Sequence, residues 1–251
     1  MGVGHAHALY VHEHSVVHRL AAEVKLVSAF AFVLAVAVTP RQAGWAFAVD
    51  AAALIGVVSL ARIPVGFVLS RLVAVAPFVV FALLIPFIAT GEQVTVLGLS
   101  LSHDGLWAMW NVIAKATLGG TVSILLAATT EVPDLLRGMG RLRVPAVLTT
   151  IASFMIRYLE LVAEELGRMR VAMTARGYDP RWLSQARPIA ASAGALFIRS
   201  YERGERVYEA MLARGYTGVM PVLGHHSTPW QDWTRAALFP LVAVVAVVVL
   251  A

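Results

Sequence analysis

The sequence predicts an all-α, polytopic membrane protein with about five transmembrane helices and a cytoplasmic region of amphipathic helices. Three observations carry this reading. Of 251 residues, 59% are hydrophobic and only 14% charged, where a soluble domain carries about a quarter charged residues. The apolar residues fall in blocks long enough to cross a bilayer core of roughly 30 Å. The charge collects elsewhere: fourteen of the twenty Lys and Arg, and ten of the fifteen Asp and Glu, lie within residues 131–235. A formal charge of +5 in that arrangement marks a cytoplasmic face rather than a nucleic-acid surface. The chain has no cysteine, which excludes disulfides and thiolate metal sites.

The spans follow in order. The first covers residues 26–39, lengthened by Val24 and the aliphatic stem of Lys25 and closed by Pro40. The second covers 43–60 and ends at Arg62. The third, 72–89, holds Pro77 and Pro86. Proline removes a backbone donor but is tolerated in a membrane helix when neighbours satisfy the freed carbonyl, so a kink is expected. The fourth covers 106–129, and the last 234–251, with Trp230 and Trp233 placed as interfacial anchors. Residues 1–20, with five His and no continuous apolar run, do not read as a cleavable signal. The domains expected are a His-rich tail (1–20), four spans (21–130), a cytoplasmic helical region (131–232) and a final span (233–251). Two shorter apolar stretches, 144–156 and 188–198, are bracketed by Arg143 and Arg157 and by Arg187 and Arg199. They read as buried or interfacial parts of the cytoplasmic region. Lys and Arg set the orientation. Residues 90–105 carry none and should face outside. Arg62, Arg71 and the basic segment should face inside, with the N-terminus in and the C-terminus out. Arg41 alone dissents.

One internal repeat stands out. Ala172-Met173-Thr174-Ala175-Arg176-Gly177-Tyr178 returns as Ala210-Met211-Leu212-Ala213-Arg214-Gly215-Tyr216, six of seven positions identical at an offset of 38. Upstream, Arg168 aligns with Arg206 and Glu164 with Glu202. Each copy ends a charged, amphipathic helical run. Gly is favoured just past a helix end, where the chain turns left-handed, and Arg in the last turn complements the helix dipole. The plain reading is two well-capped helices. The functional reading is two equivalent docking tips, each offering an Arg to a partner with two-fold or pseudo-two-fold symmetry.

With these motifs at helix ends, in a basic segment ahead of a final span, the chain resembles the T component of energy-coupling-factor transporters. That family is called EcfT, and CbiQ in the cobalt systems. The opening Val17-His18-Arg19-Leu20, Val24-Lys25-Leu26 and Thr39-Pro40-Arg41 also look like CbiQ. The resemblance implies that the two motif helices dock into grooves on a pair of ABC ATPase subunits. The chain would pass their ATP-driven motion to a substrate-binding membrane subunit. Ala175, Arg176, Gly177, Ala213, Arg214 and Gly215 would form the coupling contacts, and ATP would bind to the partners, leaving this chain without a cofactor of its own. The cargo would be cobalt, then nickel, with vitamins open. The motif inventory agrees, holding no G-x-x-x-x-G-K-[ST] loop, no H-E-x-x-H and no G-x-S-x-G. An intramembrane enzyme would need a polar catalytic cluster, and a stand-alone permease would need no ATPases. Neither accounts for the repeat.

Two further groups read as candidates. His5, His7, His12 and His14 could collect a metal ion, imidazole being a common ligand, or form an inert tail. Asp50 and Lys115 lie within spans at about 10–14 Å from the same side. Ionisable groups there are costly and usually paired, so an intramembrane ion pair is expected, the alternative being a lysine that snorkels. The small residues Ala116, Gly119, Gly120 and Ser123 permit close helix approach.

Overall fold

The computed structural model describes residues 10–90, 93–96, 99–179, 182, 185–218 and 228–249. Among the described residues the regular structure is helical apart from one short hairpin. The helices are α1 (Val16–Arg19), α2 (Ala22–Val38), α3 (Gly44–Leu60), α4 (Val65–Leu72) and α5 (Ala76–Ile88). After the hairpin β1 (Gln93–Val96) and β2 (Leu99–Ser102) come α6 (His103–Thr129), α7 (Val132–Arg141), α8 (Ala146–Ala175), α9 (Arg187–Ala213) and α10 (Trp230–Val248). Four stretches are long and apolar enough to cross a membrane by length and composition: Val65–Ile88, His103–Thr129, Ala146–Ala175 and Trp230–Val248. Gly44–Leu60 is a shorter apolar helix. The chain is an all-α polytopic membrane protein.

Each expected span falls on a helix, but only the third, fourth and last lie in stretches of spanning length and hydropathy; α2 and α3 have 17 residues each, and α8, expected in the cytoplasmic region, is long and apolar enough to span. The third is interrupted as its prolines require. A 3-10 turn over Val73–Val75 separates α4 from α5, and Pro77 sits in the first turn of α5, where its missing N–H leaves no intrahelical bond unmade. The hairpin in residues 90–105 was not expected, although its Val-Thr-Val and Leu-Ser-Leu runs alternate as strands do. The stretches 144–156 and 188–198 are the opening halves of α8 and α9. They are not buried: Val147, Leu148, Ile151, Ile189 and Phe197 are exposed.

The chain divides into two compact units. Residues 143–225 form one, holding α8 and α9. Residues 9–142 and 226–251 form the other, with α1–α7 and α10. The division falls after α7 rather than at residue 131. Gly138 explains this, because α7 packs on α2 so closely that a Cβ there would lie 2.8 Å from the Glu23 nitrogen. Arg141 then reaches Glu23 at 3.0 and 3.1 Å, and Thr228 also donates to that carboxylate. The core of this larger unit gathers Phe32, Val36, Phe47, Leu54, Val122 and Ala243. Phe32 and Phe239 stack at 4.2 Å between ring centres. Lipid is as apolar as these side chains, so close packing rather than burial holds such a bundle. The approach of Gly105 to Pro86 and of Gly120 to Val75 fits that need, a Cβ at either position meeting an atom at 2.7 Å. Gly119, its neighbour in the small-residue run, faces open space.

The Asp50–Lys115 ion pair expected from the sequence does not form. Lys115 Nζ donates instead to the Ala37 carbonyl at 2.7 Å. That oxygen lies in the last turn of α2, where carbonyls have no intrahelical partner. A cation there also meets the negative end of the helix. Asp50 is fully buried, on the face of α3 that carries Ala46, Phe47 and Leu54, and neither carboxylate oxygen has a hydrogen-bond partner. Equal depth had suggested the pair, but depth says nothing of which face each residue occupies. Arg41, the dissenting residue, is matched by Asp104 at 3.0 Å. Two substitutions separate the arrangements. Asp50→Asn should leave the melting temperature unchanged or raise it, whereas breaking a buried ion pair would cost about 3–5 kcal/mol. Lys115→Met should cost about 1–3 kcal/mol by leaving the Ala37 carbonyl unsatisfied. Thermal unfolding of the protein in nanodiscs checks both.

Candidate functional site

The two copies of the repeat end α8 and α9 in the same way. In α8, Arg176 is the cap residue at φ −91, ψ 13, and in α9 Arg214 sits at φ −95, ψ 10. Gly177 and Gly215 follow at φ +78 and +82, a region costly for residues with a Cβ. Two backbone bonds close each turn. Gly177 N–H donates to Thr174 O at 2.9 Å and Tyr178 N–H to Met173 O at 3.1 Å. Gly215 N–H donates to Leu212 O at 2.9 Å and Tyr216 N–H to Met211 O at 3.0 Å. This is the Schellman arrangement, in which an apolar residue two past the cap commonly meets one three before it. The recurrence of Gly, and of Tyr with Met, is therefore accounted for by capping alone.

The arginines are not. Arg176 and Arg214 are exposed, as are Ala175, Gly177, Ala213 and Gly215. Neither arginine side chain makes an ion pair or hydrogen bond among the described residues, although nearby cations do: Arg168 pairs with Glu164 at 2.6 Å and Arg206 with Glu202 at 4.0 Å. These last two pairs occupy equivalent places in the repeat, so the duplication extends two turns into each helix. The backbone already satisfies the terminal carbonyls, which leaves both guanidinium groups open to a partner. The small alanines before them leave room for close approach.

A cluster missed in the sequence joins the two helices. Glu165 is buried and accepts from Arg199 Nη1 at 2.9 Å and from Arg203 Nη2 at 3.4 Å. The signal was present: at the offset of 38, Glu165 aligns with Arg203, opposite charges at one repeat position. Beside this contact, Phe154, Tyr158, Val207, Tyr208, Met211 and Tyr216 line a cavity of about 430 Å³.

The histidines are not drawn together where they are described. His12 meets the Tyr10 ring edge-on at 4.8 Å and His14 is exposed, while His5 and His7 lie outside the described residues. Among the described residues, no group of three or more potential ligands assembles. His18 is structural: its ring nitrogens lie 2.7 Å from Ser15 Oγ and 3.0 Å from Val11 O. Burial holds its imidazole below the ordinary histidine range.

Comparison with known proteins places this architecture. The family model CbiQ, described as cobalt transport protein, matches residues 13–225. The chain is 33% identical to the cobalt transport protein CbiQ of Rhodobacter capsulatus over 217 residues, covering 83% of this chain and 80% of that protein. It is 26% identical to the energy-coupling factor transporter transmembrane protein EcfT of Bacillus subtilis over 251 residues, covering 94% of each. The region matched by the family model runs from α1 through α9 and includes both arginine-bearing caps, and the chain belongs to the CbiQ family of membrane transport proteins.

Proposed function

We propose that the chain is the transmembrane coupling subunit of an energy-coupling-factor importer. It passes the ATP-driven motion of two ABC ATPase subunits to a substrate-binding membrane subunit. One observation carries this: two identically built helix ends each present an exposed arginine that has no side-chain partner among the described residues. Two equivalent contacts suit a partner that is itself a pair. The relatives named for cobalt transport and for energy coupling support the same reading. The cargo is a transition-metal ion, cobalt before nickel, with a vitamin as the other class. The N-terminus and the segment with α8 and α9 face the cytoplasm of the inner or plasma membrane, consistent with the basic residues gathered there. His5, His7, His12 and His14 act in this reading as a collecting tail for the metal.

Coexpression with the ATPase subunits tests the docking contacts. Arg176→Glu or Arg214→Glu replaces attraction by repulsion at one contact, with an expected loss of about 2–5 kcal/mol each. The wild type should copurify the ATPases and the double variant should lose them. Equal retention would reduce the repeat to two capped helices. Replacing the four histidines by asparagine should lower uptake at limiting cobalt but not at saturating cobalt. Equal uptake at both concentrations removes the tail from the account.

A further inference from the structure

Helices α8 and α9 cross antiparallel. Near the start of α9, Ser192 Oγ donates to Met173 Sδ at 3.4 Å. In the middle, Glu165 meets Arg199 and Arg203. Towards the end of α9, Met211 and Tyr216 share a cavity with Thr150, Ile151 and Phe154. The two arginine-bearing ends therefore lie at opposite ends of the pair.

The repeat offset turns this crossing into a symmetry statement. Exchanging the helices at an offset of 38 sends the Glu165–Arg203 contact onto itself. It sends Met173–Ser192 onto Met211–Phe154, and both of those residues line the cavity. The duplication is thus also a pseudo-two-fold relation, with its axis through Glu165 and Arg203. On such an axis a residue faces its own equivalent, and two like charges would repel. Here the two copies differ in sign, so the position attracts. Each carboxylate oxygen takes one guanidinium, and the acid is only 7% exposed. Arg199 and Arg203 stand one turn apart on the same helix, where like charges disfavour each other unless an anion lies between them.

The two flanks of the axis are unequal. On one, small side chains at the start of α9 admit the Ser192–Met173 contact, and Tyr178 donates its hydroxyl to Gln185 O. On the other, Phe154 stands where Ser192 does, and the flank is open by about 430 Å³. The pair is thus closely held on one side of the crossing and open on the other.

We propose that Glu165, gripped by Arg199 and Arg203, is the pivot that fixes the crossing of the two motif helices and so sets the separation of Arg176 and Arg214. Glu165 is a positioning residue. It acts through the two helices it joins, and its role rests on the coupling assignment of the two arginines. A displacement at one tip reaches the other as rotation about this point instead of being lost as slippage between the helices.

The absence of cysteine makes the test direct. Thr174→Cys and Leu212→Cys place spin labels at equivalent, exposed positions of the full chain in nanodiscs. The spin–spin distance distribution should be narrow with Glu165 present. It should broaden by about twofold in Glu165→Gln, which keeps the shape but not the charge, and in Glu165→Ala. Combining Glu165→Arg with Arg203→Glu should narrow it again, which a general packing defect would not do. In the assembled complex, Glu165→Gln should retain the ATPases, since both tips are intact, and lower transport per ATP severalfold. An unchanged distribution in both single variants overturns the pivot and leaves the docking of the arginines untouched. Failure of Arg176→Glu and Arg214→Glu to release the ATPases overturns the docking without altering the distances.

Discussion

Every helix in this chain ends in carbonyls with no partner inside the helix, and the way they are satisfied decides what each helix can do next. In a bilayer an orphan carbonyl costs several kcal/mol, so the spans borrow donors from one another. Lys115 supplies the Ala37 oxygen of α2. Lys25 is buried, with Nζ at 2.8 Å from the Thr129 oxygen of α6, 3.2 Å from Thr130 Oγ1 and 3.1 Å from His18 O. Each lysine is consumed by the structure and fastens two segments together. In α8 and α9 the same problem is solved locally, by a left-handed glycine and two backbone bonds. That solution leaves the cap arginines without a side-chain partner among the described residues. One physical requirement thus has two solutions: lysines that cap other helices in the larger unit, and backbone caps with exposed arginines in the other.

A second carboxylate organises the path between these roles. Glu23 is buried at the start of α2 and holds both Arg141 and Thr228. Those residues flank the places where the chain leaves the larger unit and returns to it. Within the larger unit, α7 and the start of α10 are therefore tied to one point on α2. Glu165 holds the crossing of α8 and α9 in the same manner, with two arginines on one acid.

Much of this was legible in the sequence, for identifiable reasons. Hydropathy blocks of bilayer length place the spans, because apolar length is a direct consequence of the solvent they cross. Pro77 and Pro86 suggested a kinked third span; the interruption is a 3-10 turn over Val73–Val75, with Pro77 in the first turn of α5 and Pro86 inside it. The duplicated Arg-Gly ends marked the caps, because only glycine accepts their backbone angles cheaply. What failed was facing. Asp50 and Lys115 lie at comparable depth but on different neighbours, and one chain's helix rotations are fixed by packing that residue counts do not express. Lys25 read as a stem extending a span, where it is a cap for a helix more than a hundred residues away. Glu165 is not marked by identity between the copies of the repeat; it stands where they differ in sign, opposite Arg203.

The central claim is that Arg176 and Arg214 engage two ATPase subunits at once. Site-specific crosslinking in the assembled complex tests it most directly, again using a chain without native cysteine. Arg176→Cys and Arg214→Cys, singly and together, would be joined by a short bifunctional reagent to cysteines placed in the ATPase grooves. Each single variant should give one adduct of this chain with one ATPase, and the double variant should give a species carrying two. Adducts from only one position, or a double variant that never exceeds one ATPase, would contradict it.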